Sequence, residues 1–194
     1  MRTVFVDVDT QLDFLYPAGA LYVLGAERLV PAISRLNRYA ADHGIPVLST
    51  VDAHAENDPE FQHWPPHCVA GTMGQHKPAR TLLERCMVVP NHDSGFSLDR
   101  AEQIILEKQT IDAFRTRSLP RVLEELNAER FVVYGVVTEI CVLSAARGLL
   151  ARNKTVVVVV DAVQGLSEPR AAQAINEIRS LGGTVSRVAD VCIG

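Results

Sequence analysis

Four short segments, Thr3–Val8 and residues 46–51, 130–134 and 155–160, are rich in Val, Ile and Phe and apolar almost throughout. They lack the in-out alternation of a strand that faces water on one side. Strands that run apolar on both faces must be covered on both faces, as in a parallel sheet between helices. Weaker strand patterns occupy Cys86–Val89 and residues 103–106, and a short edge pattern lies at 184–188. Helical patterns separate them. Ile33, Leu36 and Ala40 share one face of residues 32–42, with Pro31 suited to a first turn and Gly44 to a stop. Val122, Leu123 and Leu126 do the same within residues 119–128. Residues 139–153 are mostly apolar and predict a well-buried helix. Residues 168–181 are amphipathic, opening on Pro169 and closing at Gly182-Gly183. Strands alternating with helices predict an α/β fold, a three-layer α/β/α sandwich around a mostly parallel, Rossmann-like, six-stranded sheet. No repeat, low-complexity tract or linker interrupts the pattern. Residues 1–194 are therefore expected to form one domain, long enough to hold a core and a pocket together.

Composition narrows the function classes. The net charge of -4 and the scattered Lys and Arg leave no basic stripe, which argues against a nucleic-acid partner. The longest apolar runs, such as residues 156–160, are too short to cross a bilayer, and no cleavable signal precedes the first strand pattern. Cys68, Cys86, Cys141 and Cys192 lie far apart without a CxxC pair. They read as reduced thiols of a cytoplasmic protein rather than a disulfide framework.

Residues 52–80 resist the strand–helix pattern. They carry His54, His63, His67 and His76 and several prolines. A long loop directly after a strand, at the carboxyl edge of an open α/β sheet, is where such folds place their sites. Within it, Asp52 and His54 are two residues apart, so on extended chain they face the same way. His67 follows Trp64-Pro65-Pro66, whose prolines stiffen its approach. With a third ligand from nearby chain, such a set can hold a metal and leave positions open. Carboxylate plus imidazole suits Zn, Fe or Mn better than Mg or Ca. Glu60, on the same loop, is a further candidate ligand. Surface histidines in a polar loop are the ordinary alternative.

Two more groups carry chemistry. Asp9-Thr10-Gln11-Leu12-Asp13-Phe14 follows the first strand, and a carboxylate there can act as a base. Turn capping is the commoner role for Asp7, Asp9 and Asp13 when that segment is read alone. In residues 134–141 a strand runs into Gly135 and a helix begins near Thr138, a good N-cap residue. Cys141 then falls in the first helical turn, where free N–H groups favour a thiolate and can hold an oxyanion. A packed core cysteine is the competing reading. Lys108 carries little weight alone. Beside Asp9 and Cys141 it supplies a cation that holds the base and lowers the thiol pKa.

Taken together, DTQLDF at 9–14, VDAHAEND at 51–58, WPPHC with GT at 64–72, Lys108 and GVVTEICV at 135–142 cover nearly the whole chain in order. The chain resembles the isochorismatase-like cysteine hydrolases and, within them, the nicotinamidases (pyrazinamidases). The resemblance implies a catalytic triad of Asp9, Lys108 and Cys141, and a non-proline cis peptide between Val136 and Val137 that turns N–H groups toward the oxyanion. It implies metal ligands Asp52, His54 and His67, with Glu60 matching an additional ligand of some relatives, and zinc as the first-choice ion ahead of iron or manganese. Phe14 and Trp64 match aromatic residues of the nicotinamide pocket. The implied reaction is deamidation of a small aromatic amide through a Cys thioester, by a protein that often forms homo-oligomers. The alternatives are a family amidase acting on a carbamoyl or ureido compound, a non-catalytic binding module, and vinyl-ether hydrolysis of isochorismate, which needs no thiol. Where nicotinamidases commonly show Ser-Ala-Phe after the Lys, this chain has Ile111-Asp112-Ala113-Phe114, an extra carboxylate that the family pattern does not explain.

Overall fold

The apolar segments become strands of one sheet. The computed structural model describes residues 1–92 and 95–193. Its strands are β1 (Thr3–Val8), β2 (Val47–Asp52), β3 (Cys86–Val89), β4 (Gln103–Lys108), β5 (Arg130–Val136), β6 (Thr155–Gln164) and β7 (Thr184–Ser186). They lie in the order β3-β4-β2-β1-β5-β6-β7, and every neighbouring pair is parallel. The sheet has seven strands instead of the expected six. Its two edge strands, β3 and β7, are four and three residues long with mostly part-exposed side chains. They bury too little to leave a strong apolar signature.

The helices are α1 (Leu12–Leu15), α2 (Val30–Asp42), α3 (Leu119–Leu126), α4 (Leu143–Leu150), α5 (Glu168–Ser180) and α6 (Val188–Val191). The two-residue period of a strand decides which helices each side chain meets. From β1, Val4, Val6 and Val8 join a core with α3, α4 and α5, while Phe5 joins a second core with α2 and α6. From β5, Phe131 and Val133 enter the first core, and Val132 and Tyr134 the second. Both faces are thus dry, which explains the lack of alternation in the sequence. At the end of α3, Asn127 takes a left-handed conformation and stops the helix.

The expected helix over 139–153 starts differently. Residues Thr138–Val142 form a π turn, in which the Val142 N–H reaches back five residues to the Val137 carbonyl (3.1 Å), and α4 follows it. Single π turns inside helices occur frequently at functional sites.

Gly135 joins β5 to that turn. Its φ is +120°, and a Cβ placed there would lie 2.1 Å from the Val8 carbonyl oxygen of the neighbouring strand. Both the backbone conformation and the close approach require glycine. Gly135→Ala is expected to lower the stability by about 3 kcal/mol, read as a lower urea midpoint at constant m-value. An unchanged midpoint would show that β1 and β5 separate without cost.

Candidate active site

The carboxyl ends of β4, β2, β1 and β5 are side by side in the sheet, and the chain turns polar there. The β2–β4 register pairs Asp52 directly with Lys108. Lys108 Nζ lies 2.5 Å from Asp52 Oδ1 and 2.9 Å from Asp9 Oδ2, with the lysine side chain only 1% exposed. Burial alone would lower the Lys108 pKa, but Asp52 and Asp9 outweigh it and hold the ammonium well above its ordinary value. Asp52 is pushed up to about 6 by burial, with Lys108 pulling the other way. Asp9 sits just beyond β1 with φ +50°, its N–H donating to the Thr50 carbonyl (3.0 Å) and its Oδ1 accepting the Thr50 hydroxyl (2.6 Å).

From the next strand, β5, the chain passes through a cis peptide bond at Val136-Val137 into the π turn that carries Cys141. The Cys141 sulfur lines the same cavity as the Asp9 carboxylate. Burial pushes its pKa well up, Lys108 pulls it down, and Asp9 and Asp52 add to the rise. Burial thus works against the thiolate that the helix start was expected to favour, and the Asp9 carboxylate is the nearby acceptor for its proton.

A second cluster adjoins the first. Ligand atoms of Asp52, His54 and His67, all buried, lie within 4.8 Å of one another. A short parallel bridge brings the histidines together: the His54 N–H donates to the Cys68 carbonyl (3.1 Å) and the Ala70 N–H to that of His54 (2.9 Å). His54 Nδ1 lies 3.0 Å from Asp58 Oδ2, and His67 Nδ1 lies 2.8 Å from the Pro65 carbonyl. Neither nitrogen of the buried His54 ring has a hydrogen-bond partner; Nδ1 has the Asp58 carboxylate at ion-pair distance and Nε2 faces Asp52 Oδ1 at 4.0 Å. A buried imidazole nitrogen without a partner, facing a carboxylate and beside a second imidazole, fits a divalent metal site. Partial burial acts to raise the Asp58 pKa, but the Glu60 N–H and His54 hold it below the usual range. Phe61 packs on both rings, with centroids 5.3 Å from His54 and 5.7 Å from His67. Glu60 stands on the cavity wall outside this three-residue cluster, and His63 and His76 are exposed.

A cavity opens over both clusters. Asp9, Asp52, His67 and Cys141 reach its interior. Phe14 and Trp64 line it, as do Val136 and Val137 beside the cis bond. Leu21, Ile111 and Leu166 complete walls that are almost wholly apolar.

Asp7, Asp9 and Asp13 divide their work. Asp9 faces the cavity. Asp13 ties loops together, accepting the Ala20 N–H (2.9 Å) and the Cys68 N–H (2.7 Å). Asp7 points to the other side of β1, into a buried polar cage. Asp112 caps a 3-10 turn by accepting the Phe114 N–H (3.0 Å), which accounts for the extra carboxylate. Sequence reasoning assigned no role to Asp58, Phe61 or Gln11. The Gln11 amide clamps both backbone groups of Asp52, accepting its N–H at 2.7 Å and donating to its carbonyl at 2.8 Å. Its place in the DTQLDF motif is the one signal that pointed there.

Comparisons with known proteins agree with this architecture. A family model described as the isochorismatase domain matches residues 3–97 and 93–190. The nicotinamidase/pyrazinamidase of Mycobacterium tuberculosis is 28% identical over 190 residues, spanning 93% of this chain and 95% of that one. The solved structure of Pyrococcus horikoshii pyrazinamidase in complex with zinc superposes with a TM-score of 0.82 at 26% identity, covering 96% and 99% of the two chains. N-carbamoylsarcosine amidase of Thermoplasma acidophilum does so with 0.79 at 26% identity, covering 97% of each.

Truncating His54 or His67 to Ala is expected to abolish stoichiometric zinc binding, measured by competition with a chromophoric chelator. Asp58→Ala removes the anchor of His54 together with the cap on the Glu60 N–H, and is expected to weaken binding by roughly 10- to 100-fold. Wild-type affinity in either histidine variant would remove that residue from the ligand set.

Proposed function

The chain belongs to the isochorismatase-domain family, and from that premise we propose that it is a metal-dependent amidohydrolase that converts nicotinamide to nicotinate and ammonia through a thioester on Cys141. The observation that carries this reading is that Cys141 lines one apolar cavity together with Asp9, which Lys108 holds from behind, and with Asp52 and His67 of the candidate metal cluster.

Cavity chemistry favours a neutral ring over a charged ureido acid. Among the described residues that line it there is no arginine or lysine, while Asp9, Asp52 and Glu60 are acidic. Apart from a bound metal ion, a substrate carboxylate would find no cationic side chain among the described lining residues. A flat aromatic amide fits between Phe14 and Trp64. When bound by Asp52, His54 and His67, a divalent ion, zinc in this reading, supplies a Lewis-acid anchor that orients the ring.

The chain's own residues perform the chemistry. Asp9 takes the thiol proton while Lys108, held as an ammonium, keeps the carboxylate in place. The sulfur attacks the amide carbon. The N–H groups of Val137 and Cys141 hold the oxyanion. The C–N bond breaks as Asp9 returns its proton to the leaving ammonia, and the acyl group stays on sulfur as a thioester. Water, deprotonated by Asp9, then cleaves the thioester. The acid leaves and the proton returns to Cys141. A thiol of raised pKa suits this scheme, because the base acts within the attack step.

The rest of the proposal is a cytoplasmic enzyme that uses residues 1–194 as one domain and assembles as a homo-oligomer. The four free cysteines suit the reducing compartment in this reading.

Ammonia release from nicotinamide, pyrazinamide and N-carbamoylsarcosine by the zinc-loaded protein tests the reading. Nicotinamide and pyrazinamide are expected to be substrates and the ureido acid not. Turnover of the ureido acid alone would reassign the substrate class. Cys141→Ala is expected to lower kcat by at least about 10³-fold with zinc affinity retained, and activity surviving in that variant would exclude the covalent route.

A further inference from the structure

The proposed mechanism leaves one buried ion pair unused. Lys77 Nζ lies 2.8 Å from Asp7 Oδ2, with the side chains 1% and 0% exposed. Thr10 is bound to both partners: its hydroxyl donates to Asp7 Oδ1 (2.7 Å) and accepts from Lys77 Nζ. Asn37 of α2 donates to Asp7 Oδ2 (3.1 Å) and accepts the Tyr134 hydroxyl of β5 (2.5 Å). The cage therefore joins β1, β5, α2 and the loop that carries Lys77.

Stability does not account for such a pair, since apolar replacement of buried ion pairs is often neutral or stabilising. Its location does. Thr10 directly follows Asp9, whose φ of +50° is uncommon for a residue other than glycine. Backbone of this kind persists where its surroundings over-determine it. On the cavity side Thr50 and Lys108 hold the Asp9 carboxylate. On the opposite side, only Thr10 connects the turn to Asp7 and Lys77 among the hydrogen bonds described here. The loop of Lys77 also docks on the residues that follow, its His76 carbonyl accepting the Leu12 N–H (2.8 Å) and its Gln75 carbonyl accepting from the Gln11 amide that clamps Asp52 (2.8 Å).

We propose that Lys77, through Asp7 and Thr10, is a positioning residue that fixes the Asp9 turn from the rear of the sheet, so that Asp9 meets the Cys141 thiol. The proposal rests on the reading of Asp9 as the base. It concerns orientation of the base, so it predicts a loss in kcat and not in substrate or metal binding.

The test replaces the ion pair and its bridging hydroxyl together, leaving Asn37 bonded to the Thr81 carbonyl and the Tyr134 hydroxyl. In the zinc-loaded triple variant Asp7→Leu, Thr10→Val, Lys77→Met, kcat for nicotinamide is expected to fall at least tenfold. KM, zinc affinity and Tm are expected to stay near those of the wild type. Hydrogen exchange of the peptide spanning residues 8–12 is expected to accelerate. A folded triple variant with wild-type kcat, or one that loses KM and keeps kcat, overturns the proposal. Should the triple variant not fold, Thr10→Val alone cuts the link while leaving the ion pair. It is expected to lower kcat severalfold, and unchanged kcat overturns the proposal there too. If the wild type releases ammonia from no amide, the amidase reading fails by itself. The exchange measurement then decides: faster exchange at 8–12 supports the positioning role, and unchanged exchange overturns it.

Discussion

One ammonium group organises the site. Lys108 is buried to 1% exposure between Asp9 and Asp52, so it needs carboxylate partners, and they in turn need it. Without the lysine, two buried carboxylates at the ends of adjacent strands would repel each other. With it, Asp9 and Asp52 are held by a single cation, and the trio carries a formal net charge of -1 (two carboxylates and one ammonium). That residual charge favours a cation in the neighbouring Asp52–His54–His67 cluster. Burial first, and then the two carboxylates, also raise the pKa of the Cys141 thiol beside it against the pull of Lys108.

The geometry follows from strand register. Parallel strands that end together bring their last residues together, and β1, β2, β4 and β5 switch from apolar to polar or turn-forming chain at the same rim. The apolar stretches supply two dry cores, one per face of the sheet. Stability comes from those cores, so the rim can carry groups that are costly to bury: charged side chains, a left-handed Asp9 and the π turn before α4. Front and rear of β1 are braced by separate polar networks, the Lys108 trio on the cavity side and the Asp7–Lys77 cage behind it.

Much of this was legible in the sequence because it is local. Apolar runs without alternation marked covered strands, Asp52 and His54 at a spacing of two marked a shared face, and a cysteine after a strand–glycine turn marked a site. Other features escaped because their signal is short or distributed. Asp58 reads as one more polar loop residue until His54 Nδ1 is seen 3.0 Å away. Asp112 looked like a departure in the site and is a turn cap.

By itself, the sequence determined which segments must be covered, where the chain turns polar, and which side-chain chemistries are available. Tertiary structure alone decided who meets whom. The β2–β4 register sets Lys108 opposite Asp52, and a parallel bridge lays the loop of His67 against His54. The physical reason is range. Burial and backbone propensity act along a few residues of chain, whereas an ion pair or a ligand cluster depends on distances of a few ångströms between residues tens of positions apart.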